Sequence, residues 1–238
     1  AMIYHNIFEE TDAEFMWLSG ITICDGMAAD FAECKEHIVP AHPFSDDIIS
    51  VSRKLAERFC CDTEHIHQVE IAALKLFDAL RKANHLTKKD RLLLQIAAIL
   101  HNCGSFLNLN DIGENSYKIV TSTEIIGLSH QERMIVAYVI RYTTGDFPEY
   151  SEIKNEFSRE EYIKIAKLNA ILCLADAMDR SHQQKFTNFT VRKRGYDLTI
   201  TGQTLYDITL EHGMFIQKSP FFEEAFGIRP VLRQKKCL

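Results

Sequence analysis

The chain has 238 residues, 46% hydrophobic and 25% charged, with ten glycines, five prolines and a formal net charge of −6. This composition suits one large or two small domains with a core of their own, and it excludes a disordered, collagen-like or low-complexity protein. The acidic balance sets up no general pull toward nucleic acid or an anionic membrane, so any phosphate contact has to come from a local cluster. Ala1-Met2 reads as the remnant of a cleaved tag, and no charged segment with a cleavage site follows it. The first structured pieces are a short strand at Ile21-Thr22-Ile23 and a turn at Asp25-Gly26, ahead of a helical stretch. Ser45-Asp46-Asp47 then opens a helix with Ile48, Val51 and Leu55 on one face. Asp62-Thr63 caps a longer one carrying Val69, Ala72, Ala73, Leu76, Phe77 and Leu80 on a stripe of 3.6-residue period. Thr87 opens a third, which runs through Leu92-Leu93-Leu94 to Leu100 and is stopped by Gly104.

Ser129-His130-Gln131-Glu132 and Ser158-Arg159-Glu160-Glu161 are capping-box patterns, in which hydroxyl and carboxylate satisfy the orphan amides of a helix start. They open two further helices, one toward Thr144-Gly145 and one reaching about Arg180. After Gln184 the pattern alternates. Phe189, Val191, Leu198, Ile200, Ile208 and Leu210 read as strand residues between breaks at Gly195, Gly202 and Gly213. Phe221 to Phe226 reads as a helix and Pro230 to Arg233 as a last strand. The expectation is a mainly α protein, a helical bundle followed by a small antiparallel α+β subdomain of three or four strands and one helix. The longest apolar run, Leu92 to Leu100 with Gln95 inside it, is too short to span a bilayer. Seven cysteines, an odd number without a C-x-x-C pair, predict buried thiols in a cytoplasmic protein and no disulfide.

The residues that point to chemistry are His65, His101-Asn102 and Asp176. His65 lies on the apolar face of its helix, His101 and Asn102 end a buried helix, and Asp176 follows the apolar run Ile171 to Ala175. A carboxylate there is expensive unless it is paired or metal-bound. Taken singly, each also has a plain role as a core histidine or a helix-capping aspartate. Taken together, imidazoles and a carboxylate from separate helices suit zinc, manganese or iron, with magnesium a candidate for weak binding, and the activation of water on a phosphate ester.

Ile96 to Gly104, Asn115-Ser116-Tyr117 and Arg141-Tyr142 together resemble the C-terminal HD-type helical domain of the exopolyphosphatase / guanosine pentaphosphate phosphohydrolase (Ppx/GppA) family. His65 to Val69 with Leu76 to Leu80 is similar to that domain's opening helix, and Leu174 to His182 to its closing one. Gly20 to Glu33 resembles the segment joining it to an actin-like ATPase-type catalytic domain, and Phe221 to Gly227 fits the family's C-terminus. The resemblance implies residues 1–44 as a linker from an N-terminal phosphatase domain, 45–184 as the HD-like domain and 185–238 as a small α+β subdomain. This chain has no Gly-Gly pair and no phosphate-cradling glycine loop. Where intact HD sites carry His-Asp it has His101-Asn102, and Asn115 and Thr143 stand where histidines are often seen.

The expected reading is therefore a regulatory, substrate-binding module, catalytically incomplete alone, with no required cofactor and a weak divalent-metal site at His65, His101, Asn102 and Asp176. No residue is assigned as catalytic. Its implied partners are polyphosphate or a phosphorylated guanosine nucleotide, its own N-terminal phosphatase domain and a second copy in a homodimer, with neither membrane nor nucleic acid. Arg141, Arg180, His182, Arg192 and Lys193 are the phosphate-binding candidates, the last two in the densest basic stretch of an acidic chain. The alternatives are a self-sufficient metal-dependent phosphohydrolase and a purely structural dimerisation domain.

Overall fold

The structure, a computed structural model, describes residues 2–11, 15, 20–34, 44–81, 85–186 and 188–235. The chain divides into two compact units, residues 1–43 and 44–238. The first contains helices α1 (Met2–Glu9) and α2 (Ile23–Cys34). Here the expected strand and turn give way to helix. The Asp25 carboxylate accepts from the Thr22 N–H and hydroxyl at 2.9 and 2.7 Å, while the Thr22 hydroxyl accepts from the Asp25 N–H at 3.3 Å. That reciprocal pair caps a helix start, so Asp25-Gly26 lies in the first turn.

The second unit opens with α3 (Phe44–Arg58), α4 (Thr63–Leu80) and α5 (Lys88–Leu100). After a 3₁₀ turn at Cys103–Phe106 come α6 (Ile112–Ser122), α7 (His130–Arg141), the short α8 (Tyr150–Ile153) and α9 (Arg159–Ala177). The expected caps are present: Asp62 accepts from the His65 N–H, and Thr87, Ser129 and Ser158 each form a reciprocal box with the acidic residue three positions on. Helix α5 is buried from Ile96 to Leu100, and α9 from Leu168 to Ala175. Helices enclosed on all sides carry any polar residue at their ends into the interior, which is how His101 and Asp176 come to lie inside the protein.

Helix α6 has no counterpart in the sequence reading. Its N-cap, Asp111, sits in the left-handed region at φ 56° and makes no side-chain cap, so no local signature announces it. Gly104 also acts differently than expected. It lies inside the 3₁₀ turn, and a Cβ there would meet Ile112 O at 2.2 Å and Ser116 N at 2.6 Å. Its role is close backbone approach to α6, not helix termination.

The C-terminal sheet is mixed, where an antiparallel one was expected. Strands β1 (Asn188–Arg194) and β2 (Asp197–Gln203) form an antiparallel hairpin, and β3 (Arg229–Lys235) runs parallel to β2. The connection is α10 (Thr209–Phe226), an 18-residue helix that absorbs Leu210 and Gly213 and returns the chain to the starting end of β2. Its interior Gly213 and Pro220 are poor helix formers, so packing against α9 and β3 sustains it. Phe186, Phe189, Leu198, Ile200, Phe215, Phe222 and Leu232 join the same hydrophobic core as the bundle. Among the described residues Cys61, Cys103 and Cys173 are buried free thiols, while Cys24 and Cys60 are free but exposed, against the expected burial, and no helix is long and apolar enough to cross a membrane.

Candidate metal and phosphate sites

His65 from the first turn of α4, His101 just past α5 and Asp176 near the end of α9 converge. His65 Nε2 lies 3.3 Å from His101 Nε2 and 3.3 Å from Asp176 Oδ1, and His101 Nε2 is 3.5 Å from the same oxygen. The outer nitrogens define the tautomers. His101 Nδ1 donates to the Ala98 carbonyl at 2.8 Å and His65 Nδ1 donates to Asp179 Oδ2 at 2.9 Å. In the neutral rings both Nε2 lone pairs thus face each other and a carboxylate, an arrangement that calls for a cation at its centre, either a proton or a metal ion.

The electrostatics show the proton's share. Burial pulls the His65 pKa down, but its hydrogen bonds to Asp176 and Asp179 outweigh this and push it up to about 9. Burial would raise the Asp176 pKa, yet hydrogen bonds from His101 and His65 hold its carboxyl far below the usual range. The donor triangle also fits a metal. A tetrahedral ion with ligand bonds of about 2.0–2.1 Å keeps its ligand atoms about 3.3–3.4 Å apart, close to the three edges seen here. Asp179 and the Ala98 carbonyl would orient the two imidazoles from behind, as outer-shell partners of metal-bound histidines do.

Asp179 was not among the sequence candidates. It is fully buried and also accepts from the Gln184 N–H at 2.7 Å and Gln184 Nε2 at 3.2 Å. The available signal was its i+3 spacing from Asp176 at a helix end. Asn102 stands apart. Its residue leads into the 3₁₀ turn, its carbonyl accepts from Ser105, and among the described residues its side chain makes no hydrogen bond to the cluster. Two phosphate candidates border the cluster. Arg180 Nη1 is 3.7 Å from Asp176 Oδ2, and the His182 ring stacks on His65 at 3.6 Å while its Nδ1 meets Asp62 at 3.0 Å.

The remaining candidates lie elsewhere. Arg141 is engaged with Glu114 at 2.7 Å and lies over the Tyr117 ring, so its charge is already matched. Arg192 and Lys193 alternate to opposite faces of β1, as the two-residue strand period demands. Lys193 shares the face of Phe189 and Val191, while Arg192 and Arg194 occupy the solvent face. On that face β3 contributes Arg229, Arg233 and Lys235, and β2 contributes Asp197, Thr199, Thr201 and Gln203 between them, with Asp197 opposite Arg194 and Arg229 in register. Only Arg229 has a carboxylate partner among the described residues, Asp197 at 2.9 Å. Two cationic edges therefore flank a hydroxyl-bearing strand, and a cavity of about 290 Å³ lined by Thr190, Arg192, Thr201 and Lys235 lies across them.

Compared with known protein families, residues 49–218 match the one described as Ppx/GppA phosphatase, domain III. Among curated proteins no sequence matches.

Proposed function

Since the chain belongs to the Ppx/GppA phosphatase domain III family, we propose that it is the regulatory, substrate-binding module of an exopolyphosphatase-type phosphohydrolase. In this reading it works in the cytoplasm beside an N-terminal phosphatase domain and pairs with a second copy. Its ligand is the phosphate chain of polyphosphate or of a phosphorylated guanosine nucleotide. The observation that supports this most directly is the solvent face of the sheet. Arg192, Arg194, Arg233 and Lys235 gather there without carboxylate partners among the described residues, in a chain of net charge −6. Cations on two strands about 10 Å apart, two strand spacings, and staggered along them, would hold an extended polyanion lying obliquely across the sheet.

The test is polyphosphate binding to the whole chain over a salt series. Affinity should fall steeply with salt, because polyanion binding releases counterions. The combined change Arg192→Ala, Arg233→Ala and Lys235→Ala should cost at least tenfold and flatten that dependence, with Arg141→Ala close to silent. Unchanged affinity in the triple variant would refute the assignment.

The His65, His101 and Asp176 triangle favours a second reading, a metal-dependent phosphohydrolase. Those three residues would hold the ion, with Asp179 orienting His65, and a bound ion supplies activated water for phosphate-ester hydrolysis. Under the first reading the isolated chain turns over polyphosphate far more slowly than about one per second, the low end of ordinary enzyme rates. Metal-dependent turnover lost in His101→Ala would decide for the second.

A further inference from the structure

A cavity of about 420 Å³ opens between the loop that follows α7, helix α9 and helix α10, within the range of about 300–1,000 Å³ usual for small-molecule sites. Its walls are aromatic. Phe147 is ringed by Tyr142, Tyr162 and Phe221 at centroid distances of 5.5, 5.6 and 5.1 Å, and all four rings are half-buried. Its rim is acidic, formed by Asp146, Glu149 and Glu224, and among the described residues no lysine or arginine pairs with any of them. The one ammonium in the lining, Lys218, is directed at the Thr143 carbonyl at 2.8 Å. The lining includes the buried Asn169, whose Nδ2 donates to Val139 O while its Oδ1 has, among the described residues, only the weak Cys173 thiol donor at 3.6 Å.

We propose that this cavity binds a primary alkylammonium ion, with the aromatic rings around its stem, the rim carboxylates balancing its charge and Asn169 Oδ1 accepting an N–H. Each part follows from ordinary recognition chemistry: ring faces attract cations, carboxylates match them, and a buried carbonyl with spare acceptor capacity calls for a donor. The negative field is visible in Tyr162, whose hydroxyl is pushed up by burial and then by Glu224, Glu149 and Glu152. Three carboxylates against one ammonium disfavour a phosphate ligand, so the site is distinct from the phosphate-binding surface on the sheet and does not depend on it.

Calorimetric titration of the whole chain at low salt tests this with putrescine, tetramethylammonium and the neutral isostere 1,4-butanediol. Putrescine should bind, with tetramethylammonium several-fold weaker for want of an N–H and butanediol at least tenfold weaker. The double change Glu149→Gln and Glu224→Gln keeps an acceptor oxygen at Glu149, the N-cap of α8, and with its thermal melt checked should weaken putrescine at least fivefold. Phe221→Leu, with its thermal melt checked, should weaken it as well. Equal binding of butanediol, an unaffected glutamine double variant, or preference for guanosine or inorganic phosphate in the same cavity would overturn the proposal.

Discussion

Replacing Asp176 by alanine removes the one oxygen that both imidazoles share. Its Oδ1 lies 3.3 Å from His65 Nε2 and 3.5 Å from His101 Nε2, and its side chain is only 17% exposed. Hydrogen bonds to charged groups contribute about 1.5–3 kcal/mol each. Both contacts here are long, so each should contribute about 1 kcal/mol, below that range, and the pair about 2 kcal/mol. At about 2–4 °C per kcal/mol for a unit of this size, the melting temperature should drop by about 4–8 °C. Asp176→Asn keeps an acceptor oxygen and loses only the charge, so about half that cost is expected. The assay is urea unfolding followed by far-UV circular dichroism, with chelator present so that no metal contributes. A double-mutant cycle with His101→Ala should give a coupling above about 0.5 kcal/mol, the level at which independent sites still add. If Asp176→Ala shifts stability by less than about 0.5 kcal/mol, as for an ordinary surface change, or if the cycle shows pure additivity, the three residues are not an interacting cluster.

Gly104→Ala should cost more than about 3 kcal/mol in the same unfolding assay, because its Cβ would collide with the backbone of α6 at Ile112 and Ser116; a mild effect would mean the 3₁₀ turn is free to move. Glu211 is fully buried, and its pKa, which burial alone would raise, is lowered by Ser181 and Lys185. Its stabilisation is therefore complete above the ordinary glutamate value of about 4.3 and is lost as pH falls through the depressed folded value. Glu211→Gln should flatten acid unfolding in that window, and an unaltered pH profile would count against the pairing. Zinc added to chelator-stripped protein should raise the melting temperature, since an ion that binds only the folded state stabilises it; His101→Ala should abolish the rise, and its persistence would place the ion elsewhere. Ser158→Ala should cost about 1 kcal/mol, and a neutral result would show that the start of α9 is held by tertiary contacts alone.

The helix starts at Asp62, Thr87, Ser129 and Ser158 were legible in the sequence because a cap is made within three or four residues. His65, His101 and Asp176 were legible as a set because a polar residue at the end of an apolar helix has to be satisfied in the interior. Tertiary structure decided the rest. Helix α6 exists because Gly104 and Gly113 let neighbouring backbones close on it, with Gly113 lying against Arg141 O, and no cap announces its start. Helix α10 carries Gly213 and Pro220 through its middle, against local propensity, and its length is what turns β3 parallel to β2. Arg192 and Lys193 looked equivalent as neighbours in a basic run, but strand alternation sends them to opposite faces, and only cross-strand register puts Arg192 on the face of Arg233 and Lys235, level with Thr199 and Val231 and two and four residues away from those cations along the strands. Asp179 became part of the cluster only when α9 and its exit turn packed against α4. Capping and helical periodicity are short-range and can be read along the chain; register, crossover direction and the convergence of side chains from four segments are set by burial between distant residues.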